Sequence, residues 1–338
     1  MTITAALYLL RGENKLPKLT VGVDIGGTKI ETALVDEQGR IVASRRTDSG
    51  FGLDVDGWVA GLGRSVAELQ GSAVGSEIGA IGLGFAGQID AENGVVRESP
   101  NVGWSNVPIR EKLEAALNIP AIVANDVQAA TFGEWKRGAG RGIPHMVCMF
   151  VGTGIGGGLV LDGRLYRGAT GNAGELGHII IDINGPPCHC GTHGCLEAHA
   201  GGWAIALRAQ EAVARDPVAD GALTAVARRL HGTITAATVS EAAHQGDPLA
   251  LRLVDEIGEF LVAGATSVVN AFNPRMVVLG GGVVEGLPEL VGTVETGVRR
   301  QALDAATASL DIVKAELGGF AGVVGAALLA RELLDGGG

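Results

Sequence analysis

Aromatic side chains make up only 4% of the 338 residues, and basic residues (26 Lys and Arg) are outnumbered by acidic ones (37 Asp and Glu), for a net charge of −11. Few aromatics exclude an extended base-stacking surface. The acidic balance repels polyanions, which excludes a general nucleic-acid or membrane-surface binder. Charged residues, at 19%, are too few for a disordered chain, while 46% hydrophobic residues suffice for packed cores. No apolar run reaches membrane-spanning length. Residues 1–10 are apolar but short, and Arg11, Lys15 and Lys18 follow the run instead of preceding it. That order is opposite to a secretory signal, so a short N-terminal extension on a cytoplasmic protein is expected. Cysteine is equally sparse: three of the four crowd into residues 188–195, and Cys148 sits in an apolar run. This is no disulfide framework, and it suits a reducing compartment with one metal site.

Glycine, by contrast, is abundant at 55 residues, and it clusters between apolar β-branched runs. The pattern reads as an α/β protein with many tight turns. The length exceeds a typical single domain, so two are expected. Strands are expected at residues 19–25, 29–35, 41–47, 78–85, 121–124, 146–151 and 276–279. Helices are expected at 55–70, with Val59, Leu62, Val66 and Leu69 on one face, and at 107–117 and 127–135. A long helix should begin at Asp247-Pro248, an N-cap followed by Pro at the first helical position, and end near Asn273-Pro274. Residues 203–232 read as helical, and a last helix should end near residue 334. Residues 22–40 and the stretch from 146 to Asp162-Gly163 share one order: strand, glycine turn, strand, polar turn with Gly. A duplicated β-turn-β unit follows, one per domain.

Five constellations carry chemistry. In Asp24-Ile25-Gly26-Gly27-Thr28-Lys29, two glycines at a strand-to-strand turn let backbone N–H groups approach a phosphate, Thr28 offers a hydroxyl, and Asp24 can hold Mg²⁺ or its waters. A plain Gly-Gly hairpin is the competing reading, and the spacing is not that of a Walker A loop. Gly152-Thr153-Gly154-Ile155-Gly156-Gly157 matches a dinucleotide fingerprint literally, but a strand and hairpin follow where that fingerprint needs a helix. A glycine loop over 152–158 forming a second phosphate-binding hairpin fits better. Gly280-Gly281-Gly282 after a buried strand can admit a nucleotide's sugar or base. Finally, Cys188, Cys190 and Cys195 can close on one tetrahedral Zn²⁺ with an imidazole as fourth ligand. His178, His189, His193 and His199 are all candidates, though His189, between two ligands, should point away. Asn125-Asp126 ends a strand; Asp126 there suits either a cleft carboxylate or a plain helix cap.

Together these motifs resemble the ROK family of sugar kinases and repressors. The matching pieces are residues 24–29, 99–104, Asn125-Asp126, 152–158, Gly174-Glu175-Leu176-Gly177-His178, 188–197 and 280–282, in family order over nearly the whole chain. The resemblance implies two actin-like (ribonuclease H-like) α/β domains around a central cleft with a zinc-binding loop: an N-terminal domain over 1–124 onto which a C-terminal helix, about 319–338, packs back, and a C-terminal domain over 125–318. It implies Asp126 as general base, Asn101, Asn125, Glu175, His178 and Glu197 as ligands of the sugar hydroxyls, and His178 with Cys188, Cys190 and Cys195 as the zinc site. The nucleotide would meet Asp24, Gly26, Gly27, Thr28, Lys29, Gly152, Thr153, Gly154, Gly156, Gly157, Gly281 and Gly282. The implied activity is phosphorylation of a hexose at O6 by ATP with Mg²⁺, glucose before an N-acetylated hexosamine, in a homodimer or homotetramer. Many family glucokinases carry Pro-Gly-Pro where this chain has Ala86-Gly87-Gln88, and Asn-Asp-Ala-Asn where it has Asn125-Asp126-Val127-Gln128. The family's repressors place a helix-turn-helix domain ahead of the first glycine motif; 23 residues precede Asp24 here, too few for one.

Overall fold

The structure is a computed structural model that describes residues 18–27, 29–49, 52, 54–99, 102–215, 221–230 and 232–336. It divides into two compact units. One comprises the described residues of Met1–Gly142, Arg167–Ala173 and Phe320–Gly338; the other comprises those of Ile143–Tyr166 and Gly174–Gly319.

In the first unit, β1 (Lys18–Ile25), β2 (Lys29–Val35), β3 (Ile41–Asp48), β4 (Glu77–Phe85) and β8 (Ala121–Asn125) form a sheet of order β3-β2-β1-β4-β8. The first three strands are antiparallel, and β4 and β8 run parallel to β1. β1 and β4 are buried on both faces, as central strands of a covered sheet must be, whereas the edge strand β3 is largely exposed and polar. The helix Val55–Ser72 buries Val59, Leu62, Val66 and Leu69, the face its spacing indicates, and Asp54 caps it through the Gly57 N–H. The helix Ala321–Leu334 lies so close to the sheet that a Cβ on Gly22 or Gly82 would sit 1.9 Å from the carbonyl oxygen of Val323 or Ala326. A small sheet of β5 (Gln88–Asp90), β6 (Val95–Ser99) and β7 (Trp104–Val107) completes the unit.

The second unit repeats the plan. β9 (Met146–Val151), β10 (Ile155–Leu161), β11 (Arg164–Tyr166), β12 (Met276–Gly280) and β13 (Asp311–Lys314) form a sheet of order β11-β10-β9-β12-β13. Again three antiparallel strands are followed by two parallel ones. The β10–β11 hairpin turns through Asp162 and Gly163, both at positive φ, the two-residue geometry that matches strand twist. The long helix Pro248–Phe272 is capped by Asp247, which accepts from the Leu249 and Ala250 N–H groups, and it buries Leu253, Ile257, Leu261, Gly264 and Val268. The duplication read from β-turn-β segments thus extends to whole five-stranded sheets.

Several expectations shift. The boundary expected at residue 124 lies at 142, because the helix Asp126–Arg137 packs within the first unit. Its Ala129 carbonyl would lie 1.7 Å from a Cβ on Gly325, and the Ala321 carbonyl 2.5 Å from one on Gly133, so small residues set this helix crossing. The helix expected from 107 starts at Ile109, since Val107 ends β7 and Pro108 precedes the first turn. The glycine loop expected over 152–158 is only a turn over 152–154; Gly156 and Gly157 belong to β10, where Gly157 leaves room for the Leu176 side chain. The stretch 203–232 holds two helices, Gly202–Arg215 and Ala222–Arg229. Among the described residues, no helix is long and apolar enough to cross a membrane.

Candidate functional site

Strand register gathers carboxylates at one end of the first sheet. Asp24 on β1 lies opposite Glu31 on β2 and opposite Gly84 on β4. Gly84 carries no side chain, and the Asp126 Cα comes within 3.3 Å of where its Cβ would be. Burial pushes Asp24 from its ordinary 3.8 up to about 7, and the charges of Asp126 and Glu31 add to the rise. Glu31 itself is buried and accepts from the Arg46 Nε at 2.7 Å. The register thus sets Glu31 beside Asp24 and brings the Asp126 backbone close to β4, and both neighbouring charges oppose ionisation of Asp24. No local sequence signal marks Glu31, because its place opposite Asp24 emerges only from the β1–β2 register.

Asp126 opens the helix Asp126–Arg137, but the cap is Asn125, whose Oδ1 accepts from the Val127 and Gln128 N–H groups at 3.0 and 3.1 Å. This separates two residues the sequence left together. Asn125, expected on the sugar, has its side-chain oxygen committed to the helix end. Asp126 is therefore not needed as a cap. Gln128 is likewise occupied, donating to the carbonyls of Gly171 and Ala173 at 2.7 and 3.2 Å.

In the second unit, the turn between β9 and β10 is closed by the Gly152 N–H on the Gly154 carbonyl at 2.9 Å, as the first turn is closed by the Gly26 N–H on the Lys29 carbonyl at 3.0 Å. A Cβ on Gly27, Gly152 or Gly282 would meet nothing within 4 Å, so open space adjoins each glycine motif. Gly281 sits at φ +88°, and a Cβ there would lie 2.5 Å from the Val151 carbonyl oxygen, so this turn requires glycine. Lys29 and Thr153 are exposed at the two turns. Glu197 reaches the second turn: its Oε2 accepts from the Ile155 N–H at 2.8 Å, and its Oε1 accepts from the Trp203 indole at 3.3 Å. Glu175 keeps an exposed outer edge, yet desolvation of its carboxyl raises its pKa, with His178 opposing the rise and Glu197 adding to it.

The ligand atoms of His178, Cys188, Cys190 and Cys195 all lie within 4.8 Å of one another. The Cys190 and Cys195 sulfurs are 3.7 Å apart, and the Cys188 sulfur is 3.7 Å from His178 Nδ1. A tetrahedral zinc with Zn–S bonds of about 2.3 Å needs sulfurs roughly 3.8 Å apart, so this donor set fits the metal. The loop is folded by its backbone: the Cys188 N–H donates to the Thr192 carbonyl at 2.8 Å and the Gly194 N–H to the Pro186 carbonyl at 2.8 Å. The Thr192 hydroxyl and N–H pull the Cys190 thiol down to about 6, towards the thiolate a metal requires. Of the four candidate histidines, only His178 joins the sulfurs. His193 is exposed, His199 is buried against Phe260, and His189 turns away to stack on Trp203. Because His178 faces the sulfurs through Nδ1, its Nε2 is left for a second partner. Thr28 and Asn101 lie outside the described residues.

The ROK family model matches residues 20–333. The glucokinase of Streptomyces coelicolor is 35% identical over 315 residues, 93% of this chain and 98% of that protein. The glucokinase of Thermotoga maritima is 34% identical over 326 residues, 95% of this chain and 100% of that protein. A ROK family glucokinase from Streptomyces griseus, crystallised with glucose and AMPPNP, shares the fold with a TM-score of 0.81 at 35% identity, covering 93% of this chain and 99% of that one. Duplicated sheets of actin-like topology, paired glycine turns and this likeness define an ATP-dependent sugar kinase. The chain belongs to the ROK family.

Proposed function

We propose that this chain transfers the γ-phosphoryl group of ATP to O6 of a hexose, with glucose as the preferred acceptor. The observation that carries the reading is Asp126, a carboxylate at a strand end that does not serve as the helix cap, in a chain about one-third identical to glucokinases over nearly their full length. Phosphoryl transfer depends on positioning and charge neutralisation more than on covalent chemistry with the protein. The backbone of the turns at Gly26-Gly27 and residues 152–154, with Gly281 and Gly282, binds the nucleotide. Asp24, with Glu31 beside it, would hold Mg²⁺ or its waters; when bound, the ion offsets phosphate charge. Glu175, Glu197 and the free nitrogen of His178 orient the sugar hydroxyls. Asp126 accepts the proton of the attacking hydroxyl, a contribution of roughly 10²–10⁴-fold. His178, Cys188, Cys190 and Cys195 would hold zinc, whose role is to fix the loop and the His178 ring.

The test is a panel of glucose, mannose, N-acetylglucosamine and N-acetylmannosamine with ATP and Mg²⁺, with the product's phosphate position read by phosphorus NMR. The expected result is the highest kcat/KM on glucose and a phosphate on O6. Faster turnover of an N-acetylated hexosamine overturns the choice of sugar. Absence of phosphorylated product from every hexose overturns the activity.

A further inference from the structure

Contacts from three directions meet at Trp203, a half-buried residue at the start of the helix Gly202–Arg215. Its indole stacks on the ring of His189, between Cys188 and Cys190, with centroids 4.1 Å apart and planes 25° apart. Its Nε1 donates to Glu197 at 3.3 Å. Its backbone N–H donates to the Thr153 carbonyl at 3.0 Å, while the adjacent Gly202 N–H donates to the Gly152 carbonyl at 2.9 Å. Glu197 closes the circuit by accepting from the Ile155 N–H at 2.8 Å, packed so tightly that a Cβ on Gly154 would lie 2.2 Å from its Oε2. Trp203 also packs on the apolar underside of the cysteine loop, against Cys188, Cys195 and Ala198. One side chain and its own peptide thus touch the metal loop, the carboxylate assigned to sugar, and the backbone of the turn assigned to donor phosphate.

We propose that Trp203 is a positioning residue that couples the cysteine loop to the phosphate turn, so that a zinc-filled loop holds residues 152–155 in their donor-ready conformation. The functional half of this statement rests on the sugar-kinase reading of that turn; the coupling itself does not. Ligand-linked ordering of this kind requires that the turn be better ordered in the metal-bound state, and by reciprocity an ordered turn should tighten the metal. A Trp203 that merely covers the loop would leave the turn indifferent to zinc.

Amide hydrogen exchange on the full chain separates the two. Wild type, Trp203→Leu and Trp203→Phe are compared zinc-loaded and after chelation, with zinc content measured for each. Stripping zinc from wild type should speed exchange of the Ile155, Gly202 and Trp203 amides by about tenfold or more, while the helix Ala321–Leu334 stays protected. Trp203→Leu, which removes both stack and donor, should exchange fast at the turn even with zinc bound. Trp203→Phe keeps an aromatic stack but loses the N–H donor, so it should fall between and guards against a Leu variant that fails to fold. Equal protection of the turn in loaded and stripped wild type overturns the proposal, as does a zinc-loaded Trp203→Leu or Trp203→Phe turn as protected as wild type. A chain that couples zinc to the turn yet phosphorylates no hexose would leave the coupling standing and remove the functional reading.

Discussion

Replacing Asp24 by Asn should stabilise the ligand-free protein and inactivate the enzyme in the same step. Asp24 titrates near 7 in the folded chain, against an ordinary 3.8, because burial and then the charges of Asp126 and Glu31 disfavour its ionised form. Between those two values the folded chain retains a proton that the unfolded chain has released. The group's contribution is therefore fully present below 3.8 and is lost as pH rises through 7. At pH 8 the ionised carboxylate costs the folded state at most roughly 4 kcal/mol, at 1.36 kcal/mol per pH unit. Local relaxation and water entry return part of that, leaving about 1–3 kcal/mol. Asn has the same shape and no charge, so it escapes the cost. Thermal unfolding in chelator at pH 8 should show Asp24→Asn melting roughly 4–8 °C above wild type, with the gap shrinking towards zero near pH 4. Turnover should fall by on the order of 10²-fold or more, because the carboxylate that would neutralise a cation is gone. A variant no more stable than wild type at pH 8, or one whose advantage is the same at pH 4, would refute the electrostatic account of this cluster.

Cys190→Ala should lose about one zinc per chain by metal analysis and weaken sugar binding, because the loop fixes His178 and leads directly into Glu197; wild-type protein purified without zinc would contradict this. Gly82→Ala drives a Cβ to within 1.9 Å of the Ala326 carbonyl, so denaturant unfolding should register a loss of about 3 kcal/mol or more. Gly27→Ala, with open space at the same distance, is the control and should cost under about 1 kcal/mol. EDTA should abolish phosphorylation and excess Mg²⁺ restore it; full activity in EDTA would remove the cation from the account.

How far these features were legible from sequence depends on the range of the interactions that make them. The strands β1, β2, β9 and β12 and the helix Pro248–Phe272 were readable because their signals are local: apolar runs, Asp247 as cap, Pro248 at the first turn. The cysteine loop is readable because its three sulfurs lie within eight residues; spacing leaves four histidines open, the family resemblance points to His178, and the fold carries that residue back against the sulfurs. The small sheet of β5, β6 and β7 leaves no clear sequence signal, because its strands are three to five residues long. The glycines of β10 read as loop, since nothing local reveals that Leu176 fills the space a side chain would take. Division of labour between Asn125 and Asp126 was also hidden: both residues cap helices equally well, and only backbone geometry decides which one does.

Asp126→Asn measures the central claim most directly. Asn125 holds the helix end through the Val127 and Gln128 amides, so the substitution leaves the cap intact and keeps size and shape at residue 126. Steady-state kinetics with glucose and ATP, alongside thermal unfolding and glucose binding, read the outcome. The account expects a variant that melts no lower than wild type, since the charge opposing Asp24 is removed, and still binds glucose, with kcat lower by roughly 10²–10⁴-fold and KM little changed, the pattern of an interaction made mainly in the transition state. Turnover above about a tenth of wild type, well short of a general base's contribution, would contradict it and put the base elsewhere.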